Sequence, residues 1–224
     1  MTLERRAWLS LAVLAVVMGA LLFVPAGTLR FWHAWIYLAL FLGLSAVITR
    51  DLMRRDPALL ARRMKGGPTA EPGPLQRFLM LGASLGFIGL LIIPALDFRF
   101  GWSHVPLGGV VAGDVLFVLG FGFIERVYRE NTYTAATITV ASDQRVISTG
   151  PYAIVRHPMY AAGLTYVLGT PLALGSYVGF LAFGFMLPFL IWRLLDEERL
   201  LARELPSYAE YQARVRYRLL PYVW

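Results

Sequence analysis

Two polar stretches of this chain carry the side chains that can do chemistry. The first is Thr149-Gly150-Pro151-Tyr152-Ala153-Ile154-Val155-Arg156-His157-Pro158-Met159-Tyr160, and the second holds Arg193, Glu197 and Glu198. Arginine presents a planar fork of donors that can grip a carboxylate through two parallel hydrogen bonds. A carboxylate such as Glu197 accepts from hydroxyls or amines, and a histidine can serve as donor or acceptor. Proline fixes φ and lacks an N–H, so Pro158 belongs in the first turn of a helix, where the neighbouring backbone groups can face a ligand. Each feature also has an ordinary reading. Arg193 and Glu197 stand at i, i+4, the spacing of a surface ion pair, and a lone His157 is commonly structural. Tyr208 and Tyr211 read as interfacial anchors and packing groups. Cysteine is absent, which excludes disulfides, thiolate metal sites and cysteine nucleophiles.

These residues must be positioned by apolar elements. Of 224 residues 58% are hydrophobic and only 16% charged, too apolar for a soluble globule of this size. Four runs, Ala7–Val24, Phe31–Thr49, Phe78–Leu96 and Val105–Ile124, approach the roughly 20 residues that cross a hydrocarbon core. A fifth region, Ala161 to Trp192, is too long for one crossing and is interrupted by Gly169-Thr170-Pro171 and Gly175. It reads as a helical hairpin whose second arm is Ser176–Trp192. The first run follows Arg5-Arg6 but is as long as a span, lacks a small-residue cleavage site and is followed at once by the second, so it is expected to be retained. The chain is thus expected to be one all-α integral membrane domain of four spanning helices plus a C-terminal helical hairpin. Residues 1–104 would hold the first spans and a basic loop, and residues 105–224 the chemical core.

The net charge of +7 is distributed in a telling way. Arg5, Arg6, the Arg50–Arg77 loop, Arg126, Arg129, Arg145, Arg156 and the tail from Arg193 onward fall on one side by crossing parity, leaving only Arg30 and Arg99 opposite. The positive-inside rule places that side, with both termini, in the cytoplasm. The basic charge therefore sets topology and meets membrane lipid, and no nucleic acid partner is expected. Both polar stretches flank the hairpin at this face and can line one cavity. A turn-rich linker, Pro68 to Pro74, separates the basic loop from the third span. Asp114 sits inside the fourth apolar run, where an ionised carboxylate costs about 2.5–3.5 kcal/mol on insertion scales, which makes it a functional candidate by default, left outside the candidate site.

The run from Gly150 through Tyr152, Arg156, His157, Pro158 and Tyr160 to Gly163 resembles the G-x-Y-x-x-x-R-H-P-x-Y-x-G signature of isoprenylcysteine carboxyl methyltransferases and related phospholipid methyltransferases. Gly120-Phe121-Gly122 is similar to their G-x-G element and Glu197-Glu198 to their paired glutamates. Tyr208-x-x-Tyr211 and Arg218-Leu-Leu-Pro221 continue the pattern, which covers roughly residues 105–224. The resemblance implies S-adenosylmethionine as cofactor, bound at the cytoplasmic face, and a lipophilic small molecule or lipid as acceptor. It implies a cofactor site formed by Gly120, Gly122, Gln144, Arg145, Val146, Ile147, Tyr152, His157, Pro158, Met159, Tyr160, Glu197 and Glu198, with Arg193 positioning the acceptor and no metal. A bacterial or archaeal inner membrane is the expected location. Phospholipid N-methyl transfer is a second reading. A third is a nicotinamide-dependent sterol reductase, but Arg156-His157-Pro158-Met159-Tyr160 lacks the asparagine and Leu164 the aspartate of that signature. A transporter or structural membrane protein is a fourth, and it leaves the clustered motifs unexplained.

Overall fold

The computed structural model describes residues 1–134, 136–138 and 144–224. Among these residues the chain forms eight α-helices and no strand: α1 Leu3–Ala26, α2 Trp32–Arg55, α3 Pro57–Arg63, α4 Pro74–Phe100, α5 Leu107–Glu130, α6 Pro158–Ala173, α7 Phe180–Glu204 and α8 Tyr208–Arg214. Helices α1, α2, α4 and α5 are long and apolar enough to cross a membrane. Each continues beyond its apolar run, because hydropathy drops where charged residues begin whereas the backbone hydrogen bonds carry on through residues such as Arg50, Arg54 and Arg55. The ends are set locally. The Thr2 side chain accepts from the Arg5 N–H to start α1, and Gly101, with φ of 66°, closes α4 in the left-handed region that glycine adopts without strain.

The hairpin differs in detail from its sequence pattern. Gly169, Thr170 and Pro171 do not break α6, which runs on to Ala173; the turn occupies Leu174–Gly179 and α7 starts at Phe180. Pro171 is tolerated because the Leu174 N–H still reaches the Thr170 carbonyl at 3.0 Å and the Gly175 and Ser176 N–H groups bond Leu172 and Pro171 at 2.9 Å each. The turn falls at Gly175, whose φ is 71°.

Helices in an apolar solvent associate by close packing of small residues rather than by excluding water. A Cβ on Gly113 would lie 2.3 Å from the Ala173 nitrogen and one on Gly120 2.6 Å from the Tyr166 nitrogen, so α5 and α6 meet backbone to backbone. Gly82 and Gly86 of α4 receive the Phe189 ring and Met186 of α7 in the same manner. Between them lies an aromatic core of Tyr37, Phe41, Phe117, Phe121 and Tyr166. Asp97 pins one end of the bundle: it is buried and accepts from the Ser103 N–H at 2.7 Å and from the Ser103 and Ser176 hydroxyls. The other end gathers the basic residues and the C-terminal tail. There Arg55 bonds Glu125 and the Tyr128 carbonyl, Arg62 the Thr132 carbonyl, and Thr132 the Asp56 carboxylate. Asp114, in the N-terminal half of α5, keeps a buried Oδ1 with no hydrogen-bond partner among the described residues and does not line the cavity described next.

Candidate functional site

The signature folds as a hinge between two helical pieces. Gly150–Ala153 forms a 3-10 turn, Arg156 and His157 lie outside any helix, and Pro158 opens α6. With no helical partner for their N–H groups, Arg156 and His157 donate to the Tyr217 and Arg218 carbonyls at 2.9 Å each, which docks the C-terminal tail on the signature. Arg156 is buried and donates three hydrogen bonds. Its Nε donates to Glu198 Oε1 at 2.6 Å and its Nη1 to the Val215 and Arg216 carbonyls at 2.9 and 3.0 Å. Arg218 adds a second contact to Glu198, Nε to Oε2 at 2.8 Å. Glu198 is therefore a buried carboxylate bridging two guanidinium groups, and it binds the tail to α7.

Consecutive residues on a helix point about 100° apart, and the glutamate pair divides accordingly. Glu197 turns toward α6 and accepts from the Tyr160 hydroxyl at 2.6 Å. It lines a cavity of about 660 Å³, a size suited to a small-molecule ligand; Glu198 does not line it. Toward the basic end the wall is polar, with Gln144, Arg145, Asn131, Tyr152, His157 and Arg193. Toward the middle of the bundle it becomes apolar, with Val17 and Leu21 of α1, Phe87 and Leu91 of α4, and Met186 and Leu190 of α7. Val146, Ile147, Pro158, Met159 and Tyr160 also line it.

Two buried polar atoms on this wall lack a partner within the protein: Nε2 of His157, which stands 3.7 Å from Glu198 Oε1, and the hydroxyl of Tyr208. Buried polar groups are normally satisfied, and these two are exceptions on the cavity lining. Tyr208 and Tyr211 are buried, not interfacial anchors. Tyr211 donates to the Tyr152 carbonyl at 2.7 Å, and the Asn131 amide donates to the Tyr152 hydroxyl at 2.9 Å. Since that hydroxyl receives the Asn131 hydrogen, its own proton is available to another acceptor. Burial pushes the phenols of Tyr152, Tyr208 and Tyr211 up, so each remains a neutral hydrogen-bonding group near pH 7.

The structure brings together Gln144, Arg145, Val146, Ile147, Tyr152, His157, Pro158, Met159, Tyr160, Arg193 and Glu197 on one wall. It does not bring Gly120 or Gly122 there. Gly120 is occupied by α6, and Gly122 is exposed with nothing near the position of a Cβ. Arg193 does not pair with Glu197 along the helix. It donates from Nη2 to Glu71 at 2.6 Å and to the Ala136 carbonyl at 3.2 Å, and from Nη1 to Gln76 at 2.7 Å. Glu71, Gln76, Asn131 and the inward role of Tyr208 were not evident from the sequence. Glu71 is an acid among prolines with no periodicity to orient it, and the other three gain meaning only from what faces them. Among the described residues no three His, Asp or Glu side chains gather as a metal-holding group.

With this geometry in view, one family match bears on the α5–α7 core that carries the signature. Its residues 109–207 match the phospholipid methyltransferase family. The matched stretch contains the hinge, the Glu197-Glu198 pair and Arg193, and stops one residue before Tyr208. Two curated relatives are similar at low identity. The cobalt-zinc-cadmium resistance protein CzcN of Cupriavidus metallidurans is 29% identical over 118 residues, covering 50% of this chain and 53% of that protein. The nickel-cobalt-cadmium resistance protein NccN of Alcaligenes xylosoxydans xylosoxydans is 24% identical over 153 residues, covering 65% of this chain and 68% of that protein. The chain thus spans about half the length of the first of these relatives. The phospholipid methyltransferase match covers the segment that holds Tyr152–Tyr160 and Arg193–Glu198.

Proposed function

We propose that the protein transfers a methyl group from S-adenosylmethionine to a lipophilic acceptor at the cytoplasmic membrane face, in the manner of an isoprenylcysteine carboxyl methyltransferase. The observation that carries this reading is one continuous cavity, polar at its basic end and apolar toward the middle of the bundle. A charged, water-soluble cofactor suits the first part and an acyl or prenyl chain the second. The residues present fit the cofactor. Glu197 can accept from hydroxyl or ammonium groups, Tyr152 and Tyr208 can donate, and the unpartnered His157 Nε2 can meet the adenosine or amino-acid portion. When bound, S-adenosylmethionine supplies an electrophilic methyl group on a sulfonium. The chain's own contribution is to hold the two reactants together and exclude water, and no covalent nucleophile on the protein is assigned. Arg193 donates three hydrogen bonds among the described residues, and a guanidinium carries five N–H groups with which it can also meet an acceptor headgroup.

A second reading is phospholipid N-methyl transfer. The observation favouring it is that, among the described residues, Glu197 accepts from the Tyr160 hydroxyl and forms no ion pair, whereas Arg193 is paired with Glu71, so Glu197 offers a carboxylate to an amine headgroup.

Calorimetry on the detergent-solubilised protein tests the common part. S-Adenosylhomocysteine is expected to bind saturably and NADPH not at all; saturable NADPH binding with no response to either adenosyl ligand would overturn the methyltransferase reading. Mass spectrometry of co-purified lipid, followed by transfer of labelled methyl to carboxyl- and amine-bearing lipids, separates the two acceptor classes.

A further inference from the structure

Glu71 lies in the linker before α4, outside the segment that matches the family, and its side chain is completely buried. An acid is buried to this degree only when paired. Its Oε1 accepts from Arg193 Nη2 at 2.6 Å and its Oε2 from the Ile138 N–H at 3.2 Å, while its carbonyl accepts from Arg77 Nε at 2.8 Å. Arg193 in turn holds the Ala136 carbonyl and Gln76. Gln76 passes the contact on to Asp196, one turn along α7. Arg193, Ala136, Thr137 and Ile138 all line the basic end of the cavity. One carboxylate from the N-terminal half therefore ties α7 to the wall 136–138 that encloses the polar pocket.

We propose that Glu71 is a positioning residue for the cofactor end of the cavity: by holding Arg193 and the Ile138 amide together it keeps the wall 136–138 against the ligand. The identity of the ligand rests on the methyltransferase reading; the closure of the wall does not. The geometry makes specific demands. A glutamine at position 71 keeps the shape but leaves the Arg193 charge without its counter-charge in a buried site. An aspartate keeps the charge but is one methylene shorter, and so cannot span Arg193 and Ile138 together.

The test uses the full chain in detergent, exploiting its lack of cysteine. A reporter Ile138→Cys sits in the wall, and a control Ala95→Cys lies fully buried in α4. In the parent both should react slowly with a maleimide. Glu71→Gln should speed labelling at Ile138→Cys, leave Ala95→Cys slow, and weaken S-adenosylhomocysteine binding roughly tenfold or more, the scale of one lost hydrogen bond to a charged group. Glu71→Asp should produce the same pattern more weakly, and it serves as the test if Glu71→Gln does not fold. The proposal is overturned by unchanged labelling at Ile138→Cys, by equal acceleration at both cysteines, which marks general loosening, or by accelerated wall labelling with unchanged affinity in a parent that binds the ligand. If the parent binds no adenosyl ligand, the methyltransferase reading falls while the labelling contrast still decides whether Glu71 holds the wall.

Discussion

Glu197 and Glu198 are adjacent, identical and differently employed. Glu198 is enclosed by Arg156 and Arg218, and His157 packs beside it. Replacing it with alanine strips a buried carboxylate from two guanidinium groups, and loss of one partner from such a pair typically costs about 3–5 kcal/mol. Glu198→Ala is therefore expected to lower the unfolding temperature sharply and to release the C-terminal tail to protease. Glu197 faces the cavity with the Tyr160 hydroxyl as its contact. Glu197→Gln should leave thermal stability close to the parent and weaken S-adenosylhomocysteine binding by roughly tenfold, the scale of one hydrogen bond to a charged group. Melting curves and ligand titrations on both variants check the division. Similar losses of stability in both, with unaltered binding by Glu197→Gln, would remove Glu197 from the site. The paired-glutamate motif was legible in the sequence, but which member faces inward was not, because that depends on where α6 and the tail approach α7.

At the scale of the element, the glycines of α5 make the same point. Gly120-x-Gly122 matches a motif associated with a cofactor, yet the two glycines occupy different surroundings. Gly120 lies where α6 passes so closely that a Cβ would stand 2.6 Å from the Tyr166 nitrogen, while a Cβ on Gly122 would meet no other element within 4 Å among the described residues. Gly120→Ala is expected to push α5 and α6 apart and destabilise the protein by more than about 1 kcal/mol, the lower range of overpacking costs. Gly122→Ala removes a flexible residue from a helix interior and should stabilise by about 0.4–1 kcal/mol. Neither position lines the cavity, so ligand affinity in a folded Gly122→Ala variant should equal that of the parent. Differential scanning calorimetry with a ligand titration measures both effects; a large loss of affinity in Gly122→Ala would place this glycine at the ligand after all. The apolar runs located the four long helices without the structure, because a span must be about 20 residues of apolar side chain whatever it packs against. The hairpin turn was less legible. Pro171 reads as a breaker in sequence, but α6 absorbs it by rearranging the bonds of its last turn.

For the whole molecule, the tertiary structure gathers Arg55, Arg62, Arg156, Arg193 and Arg218 at one end of the bundle, each bonded there to a carboxylate or carbonyl. By the positive-inside rule that end is proposed to be cytoplasmic. A cysteine at Thr69, an exposed position in the linker, is expected to resist an impermeant thiol reagent on intact cells and to react after lysis. Labelling from outside would invert the assigned topology. Position 69 is preferable to Gly66, where a side chain would press on Ala136 at 3.0 Å. The sequence by itself determined the all-helical architecture, the number of long apolar helices, the polarity of the bundle and the stretch most likened to a methyltransferase, since these follow from composition, periodicity and residue order along the chain. Only the tertiary structure decided that Arg193 answers to Glu71 rather than to Glu197, that Tyr208 turns inward, and that Gly120 serves packing. Those outcomes depend on contacts between residues far apart in the chain, 122 positions in the case of Glu71 and Arg193, and a side chain's partner across such a distance is set by how the helices pack, not by its neighbours in sequence.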